Sequence, residues 1–212
     1  MLTDDPGTPE KKEFEFNTSL NSEITNQYQF SVPLLDINYG ATERMQLKAE
    51  MPLLITVDES KNVSSNFGHP NIGIKYRFMD ESKYHVGVSV FPQVVFDKRK
   101  EYLLPLQFEK SIGKFTLGEA VGYFFIENNS HNLLNGNLVG YKTSEKLEMM
   151  IEFYVEHNFV PVNQTDAFIN YGFRYHLSKK NILLASFGTQ VVTPADEEKK
   201  YFFSFVGLQS LF

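Results

Sequence analysis

The sequence predicts an all-β chain that folds as a transmembrane, up-and-down antiparallel β-barrel of about twelve strands. Three observations predict this fold class. Apolar and polar residues alternate along many segments, short turns alternate with longer loops, and the chain ends on an aromatic, strand-like segment. The alternation has the period of two that is typical of strands, and the apolar residues do not recur at helical spacing.

Twelve segments have strand character. In residues 44–56 the apolar Met45, Leu47 and Ala49 share one face, while Gln46 and Lys48 share the other. Segments of this length can cross a bilayer, which takes ~9–11 residues in a tilted strand. The first and eighth segments have the weakest strand pattern, so ten strands remain an alternative. The predicted spans are 13–22, 27–39, 44–56, 70–79, 83–96, 102–110, 114–126, 134–142, 147–157, 166–177, 181–192 and 200–212.

Connections of two kinds alternate along the chain. Outer-membrane barrels have short periplasmic turns and longer external loops, so an even strand count places both termini in the periplasm. We therefore expect residues 1–12 to form a periplasmic N-terminal extension and residues 13–212 a single membrane barrel. The short turns are 40–43, 80–82, 111–113, 143–146 and 178–180, and the longer loops include 57–69, 127–133, 158–165 and 193–199.

The composition excludes several classes of protein. Phe (20) and Tyr (11) are abundant, and aromatic residues favour strands. There is no cysteine, which excludes disulfides, cysteine-ligated zinc and a thiol nucleophile. A net charge of -6 argues against a nucleic-acid-binding protein. No apolar run approaches the ~20 residues of a membrane helix.

The C-terminal segment is a strand with one apolar face. Phe202, Val206, Leu208 and the terminal Phe212 share that face. The segment resembles the last strand of bacterial outer-membrane proteins, which the barrel-assembly machinery recognises. Ser210 stands where that signal often has an aromatic residue. The resemblance implies a bacterial outer-membrane location, with membrane lipid and the assembly machinery as partners.

A family resemblance covers roughly the first 95 residues. The run from Pro33 to Pro52, the hairpin beginning at Gly73-Ile74-Lys75-Tyr76-Arg77-Phe78, and the opening Asp5-Pro6-Gly7-Thr8-Pro9 carry it. These stretches resemble a family of outer-membrane "transporter" barrels labelled for the meta-pathway of phenol degradation. The resemblance implies barrel and location, and it transfers no catalytic residues.

The polar faces are expected to line the lumen if the apolar faces meet lipid. Mixed charges at mid-height could orient a small solute, as charged rings do in pores. The same charges could instead pair and fill the interior. Their nearly balanced signs favour pairing, and so a filled or very narrow lumen. The predicted constriction comprises Lys48, Glu50, Lys75, Arg77, Gln107, Glu148, Glu152 and Arg174.

These patterns favour a channel or transporter for small, hydrophobic or aromatic solutes. The alternatives are a structural or binding barrel with a filled lumen, and a soluble barrel that binds an apolar ligand. We expect no enzyme activity, no cofactor and no metal site. The five His residues are scattered without His-x-x-x-His spacing, and Ser130-His131 is explained by a polar loop. The oligomeric state is not predicted.

Two residues do not fit the simple alternation. Glu119 falls on the apolar face of its segment with Leu117 and Val121, where a lipid-facing carboxylate is unfavourable. Either a bulge shifts the register there, or the opposite face is the outer one. Pro33 cannot donate to a strand ladder, so it predicts a bulge in the second segment.

Overall fold

The computed structural model describes residues 4–25, 27–127, 130–160, 163–192 and 201–212. One helical turn, Glu81–Tyr84 (α1), accompanies the strands, and no helix of the described residues is long and apolar enough to span a membrane. The strands are Phe14–Ile24 (β1), Tyr28–Thr42 (β2), Met45–Val57 (β3), Val63–Phe67 (β4), Asn71–Met79 (β5), Gly87–Val90 (β6), Gln93–Val95 (β7), Glu101–Ile112 (β8), Phe115–Ile126 (β9), His131–Lys142 (β10), Leu147–Val160 (β11), Gln164–His176 (β12), Asn181–Val192 (β13) and Phe202–Leu211 (β14).

The strands form a closed antiparallel barrel. Neighbours in sequence pair in order, and β1 pairs with β14 from Glu15–Leu211 to Ile24–Phe202, which closes the sheet. β4 and β5 both pair with β3, so they are two parts of one wall strand. β6 and β7 likewise both pair with β5 and β8. The described residues therefore build a wall of 12 strands.

The predicted strand count of twelve is confirmed, and the alternative of ten is wrong. The first and eighth segments are β1 and β10, and each pairs along its length with both neighbours. Two predicted boundaries are also wrong. The loop expected at 57–69 contains β4, and the strand expected at 83–96 begins after α1 and is interrupted at Phe91–Pro92. The loop expected at 193–199 lies outside the described residues.

The barrel is polar inside and apolar outside. Lys75 (2% exposed), Gln107 (1%) and Glu152 (0%) are buried, whereas Ile72 and Phe187 are 51% and 65% exposed. A soluble barrel would place its apolar faces inward. The hypothesis of a soluble, apolar-ligand-binding barrel is therefore wrong for this chain. The inverted pattern is that of a transmembrane barrel, whose outer face contacts lipid.

The two residues that did not fit the alternation have different outcomes. The bulge predicted at Pro33 is confirmed by a register shift between Ser31 and Leu34 in the β2–β3 pairing. Glu119 is exposed on the outer face of β9, although both pairings of β9 run without a register shift. Both sequence-based explanations for Glu119 are thus wrong, since there is no bulge and the apolar face is the outer one.

Candidate functional site in the barrel interior

In the half of the barrel nearer the short turns (the turn-end half), the interior contains a network of paired charges. Lys48 Nζ lies 2.8 Å from Glu50 Oε2 and 3.6 Å from Asp36 Oδ2, all on the inward faces of β2 and β3. Inward polar side chains on adjacent strands meet because directly opposed residues lie about 5 Å apart. Lys48 and Glu50, both predicted to face inward, therefore pair directly with each other. Asp36, which was not among the predicted site residues, joins this network.

Lys75 is the buried centre of this network. Its ammonium group donates hydrogen bonds to Asp4 Oδ2 and to the Asp5 carbonyl oxygen, each at 2.7 Å. It also lies 4.8 Å from the ring centroid of Phe91, within cation–π range. Gln107 Nε2 donates to the same Asp4 oxygen at 3.3 Å and accepts a hydrogen bond from Ser89. Two predicted lumen residues, Lys75 and Gln107, thus meet through the N-terminal segment.

The opposite wall contacts the same segment through Arg174. Its guanidinium lies 3.7 Å from Asp5 Oδ2 and 4.0 Å from Glu148 Oε2, and Glu148 accepts a 2.7 Å hydrogen bond from Thr116. In the barrel order, five wall strands separate the strand of Lys75 from the strand of Arg174 in either direction. Asp4 and Asp5 therefore connect opposite walls across the lumen.

Residues 6–12 continue along the inner surface of the wall. The chain passes Gly40 so closely that a Cβ atom there would overlap the carbonyl group of Glu10. Lys12 N donates to Gly40 O at 2.7 Å, and Gly40 N donates to Glu13 O at 3.0 Å. Residues 4–12, part of the predicted N-terminal extension, pack against the barrel interior. The physical reason is that the adjacent carboxylates of Asp4 and Asp5 lie beside two cations there, the buried Lys75 and the part-exposed Arg174.

The N-terminal segment borders two cavities. One, of about 310 Å³, lies toward β1–β3, and the other, of about 580 Å³, extends across to Glu148 and Arg174. Both are lined by Asp4, Asp5 and Lys48. The lumen is therefore occupied in part, and the larger cavity leaves space beside the segment. Asp4 and Asp5 were not among the predicted site residues, and nothing in the local strand pattern marks them.

Two predicted constriction residues lie elsewhere or pair differently. Arg77 contacts Asp80 at 3.2 Å and the Glu43 carbonyl at 2.8 Å, so it belongs to the rim of short turns. Hydrogen bonds from Ser82, with a smaller effect of Arg77, hold the pKa of Asp80 below its usual range. Glu152 is opposite Asn170, which donates to it at 3.0 Å.

The sequence pattern predicts that Glu148, Glu152 and Arg174 all face inward, and the register of β11 and β12 decides which of them meet. Glu148 stands directly opposite Arg174 in this ladder. A sequence pattern gives the face of each strand but not the stagger between neighbours, so it could place these carboxylates inside without assigning their partners.

The predicted assembly residues all lie on the outer surface of the last strand. Phe202, Val206, Leu208 and Phe212 are exposed, and the Phe212 ring packs edge-on against Phe16 at 5.5 Å between centroids. The other aromatic residues of this strand, Phe203 and Phe205, occupy the alternate, inward positions and line a luminal cavity. Recognition of the outer face by assembly machinery stays a prediction.

Solved structures of outer-membrane channels share this architecture. The COG4313 outer membrane channel from Pseudomonas putida F1 aligns with a TM-score of 0.74 at 12% identity, over 99% of this chain and 100% of that chain. The NanC porin aligns at 0.68 and 9% identity, over 92% of this chain and 98% of that one. The chain has the fold of an outer-membrane channel.

The CymD monoaromatic hydrocarbon channel has the same barrel fold at greater distance, with a TM-score of 0.54 at 6% identity over 95% of this chain and 89% of that one. No family model and no curated protein matches the chain. At these identities the likeness shows the fold of this channel-type barrel and leaves its solute to be inferred from its interior.

Proposed function

We propose that this protein is a bacterial outer-membrane channel for small solutes, whose own N-terminal segment narrows the path. The observation that carries the proposal is the cavity of about 580 Å³ that remains beside Asp4 and Asp5 and is lined by Lys48, Glu109 and Arg174. A lumen with charges on opposite walls and open space between them can orient a small polar or amphipathic solute.

The descriptions of the similar structures support this proposal. Two of them are described as channels and one as a porin. Membership of the phenol-degradation "transporter" type of family is part of the proposal, and so is a non-enzymatic role. The description of CymD as a monoaromatic hydrocarbon channel supports a hydrophobic or aromatic solute class for this chain.

A barrel with a closed lumen is the second candidate. It is favoured by the contacts of Asp4 with Lys75 and of Asp5 with Arg174, which cross the interior. In that case the protein would act through its loop end, as a structural or binding barrel. The two candidates make opposite predictions about ion flow through the wild-type protein and the same prediction about its membrane insertion.

Single-channel conductance in planar bilayers separates the two candidates. The experiment compares the wild type with the double variant Asp4→Ala/Asp5→Ala, which removes both carboxylates from the lumen. Asp58→Asn is the matched control because Asp58 lies in an exposed loop, where its carboxylate accepts hydrogen bonds from the nearby Asn62.

We expect small unitary currents for the wild type and the control, and currents several-fold larger for the double variant, because the segment would lose its contacts with Lys75 and Arg174. If the wild type shows no current and the double variant conducts, the result would support the closed-lumen barrel. Silence of all three proteins, after insertion is shown, would remove the channel proposal.

A further inference from the structure

A third cavity lies in the half of the interior nearer the longer loops (the loop-end half), away from the N-terminal segment. We call it the aromatic recess, and it has a volume of about 270 Å³. It is formed by the loop-end parts of β1, β11, β12 and β14, with one residue from β13. Its lining comprises Asn21, Ser22, Glu23, Tyr154, Glu156, Phe168, Asn170, Ser186, Tyr201, Phe203, Ser204 and Phe205.

Four aromatic rings form a connected cluster in the recess. Phe168 lies 6.2 Å from Tyr154, 5.8 Å from Tyr201 and 6.2 Å from Phe203, measured between ring centroids. Tyr201 and Phe203 are 5.7 Å apart. The rings meet at angles of 40–74°. All four rings line the cavity, and an aromatic face carries partial negative charge.

The backbone is shaped to place these rings. Tyr154 and Phe168 are register partners on β11 and β12, so their rings project from the same inner face. Gly188 lies beneath the ring of Phe203, and a Cβ atom there would overlap both that ring and the Ile169 carbonyl oxygen. The glycine therefore allows the phenylalanine ring to lie against β13. The recess is a built feature of five neighbouring strands rather than a gap between loops.

The charges of the recess are negative. Glu23 and Glu156 line it, and none of the described lining residues is Lys, Arg or His. Asn132 donates a 2.5 Å hydrogen bond to Glu156, and Asp166 stands opposite Glu156 in the β11–β12 register. The turn-end half differs, because its carboxylates Asp36 and Glu148 lie beside Lys48 and Arg174.

We propose that the aromatic recess binds organic cations, in particular an ammonium group attached to an apolar or aromatic body. Aromatic faces attract a cation within about 6 Å of the ring centroid, and the neighbouring carboxylates add to that attraction. The apolar body of such a solute would contact Phe168, Phe203 and Phe205. As a statement about what the channel admits, this inference rests on the proposed function, whereas binding to the recess can be measured without transport.

Equilibrium binding tests the inference on the full-length, detergent-folded protein. The probe is benzyltrimethylammonium chloride, and benzenesulfonate and benzyl alcohol provide the anionic and neutral comparisons. A maltoside detergent is required, because amine-oxide and choline headgroups would compete for the same site. The titrations are followed by calorimetry, and folding of every variant is checked by far-UV circular dichroism and gel mobility without heating.

The variants are Glu156→Gln and Phe168→Leu, with Glu101→Gln as a matched control, because Glu101 is a part-buried carboxylate at the loop end of β8 and lies outside the recess. We expect the cation to bind more tightly than either comparison ligand. Phe168→Leu should weaken its binding by about 2- to 30-fold, the range that cation–π contacts span from exposed to desolvated sites. Glu156→Gln should weaken it as well, because it removes a carboxylate from the recess, and Glu101→Gln should leave the affinity unchanged.

Equal binding of benzenesulfonate and the cation would overturn the inference, and so would equal losses in Glu156→Gln and Glu101→Gln. Because binding and conductance are separate measurements, the two proposals can fail independently. A barrel that does not conduct but binds the cation through Phe168 and Glu156 would support the recess proposal and contradict the channel proposal. A barrel that conducts but shows no preference for the cation would support the channel proposal and contradict the recess proposal.

Discussion

Glu119 is the residue at which the outer surface departs most from an apolar belt. It stands near the middle of β9 with exposed Leu117 and Tyr123 on the same face, and its register partner on β10 is Asn137. Asn137 is also exposed and donates a 2.6 Å hydrogen bond to Asn135. A small polar patch therefore lies in the region of the wall that faces the hydrocarbon core.

Replacing Glu119 with leucine is expected to stabilise the barrel in a bilayer. A lipid-facing carboxylate costs less than the ~2–4 kcal/mol of a midplane Lys or Arg, so we expect the free energy of unfolding to rise by about 1–2 kcal/mol. The measurement is urea unfolding in phosphatidylcholine vesicles.

Glu148→Leu is the control for that substitution. The Glu148 carboxylate is inward and buried, and it accepts a hydrogen bond from Thr116. Its loss should lower the free energy of unfolding by about 1–3 kcal/mol, because the buried hydroxyl of Thr116 would lose its hydrogen-bond acceptor. A lower stability of Glu119→Leu would mean that Glu119 has a protein partner on the outer face, contrary to lipid exposure.

At the scale of elements, the barrel closes at the seam between the first and last strands. Phe212 N donates to Phe14 O at 2.9 Å, and Phe14 N donates to Phe212 O at 3.0 Å. The outer face of the last strand carries the exposed Phe202, Val206, Leu208 and Phe212, whereas its inner face supplies aromatic rings to the recess. One strand thus has two separate tasks, because successive side chains point to opposite faces.

Phe212→Ala tests the predicted assembly signal. We expect the amount of folded protein in the outer membrane to fall several-fold, because the terminal aromatic residue is the main part of the motif. Refolding into detergent should change little, since the backbone hydrogen bonds of the seam remain. The measurement is the fraction of heat-modifiable barrel in purified outer membranes.

Phe187→Ala is the matched control for Phe212→Ala, since Phe187 is an equally exposed outward aromatic residue on β13. Equal losses for both variants would attribute the effect to a general loss of apolar surface, and the assembly role of Phe212 would then be wrong.

At the scale of the whole molecule, the proposed orientation places the short turns and both termini in the periplasm. The chain has no cysteine, so single cysteines report position without background. Ser60 lies between β3 and β4, and Ser144 lies in the short turn between β10 and β11. In intact cells a membrane-impermeant maleimide should label Ser60→Cys and leave Ser144→Cys unlabelled until the outer membrane is permeabilised. Labelling of Ser144→Cys alone in intact cells would indicate the opposite orientation.

The barrel interior shows which features a local sequence pattern can predict. The period-two alternation predicts inward faces for Lys48, Glu50, Lys75 and Gln107, because the face of a strand residue is a local property. It also gave the number of wall strands. Arg77 was predicted on the inward face, and the structure places it near the end of β5, beside the short connection that contains α1.

The sequence by itself determined that this protein is a membrane barrel with an apolar exterior and a charged interior. The tertiary structure decided which charges meet, as when the register places Glu148 opposite Arg174. It also decided that Asp4 and Asp5 lie in the lumen, and that β1 joins β11–β14 in one aromatic recess. The physical reason is that alternation is fixed residue by residue, whereas register, closure and insertion depend on contacts between segments far apart in the chain.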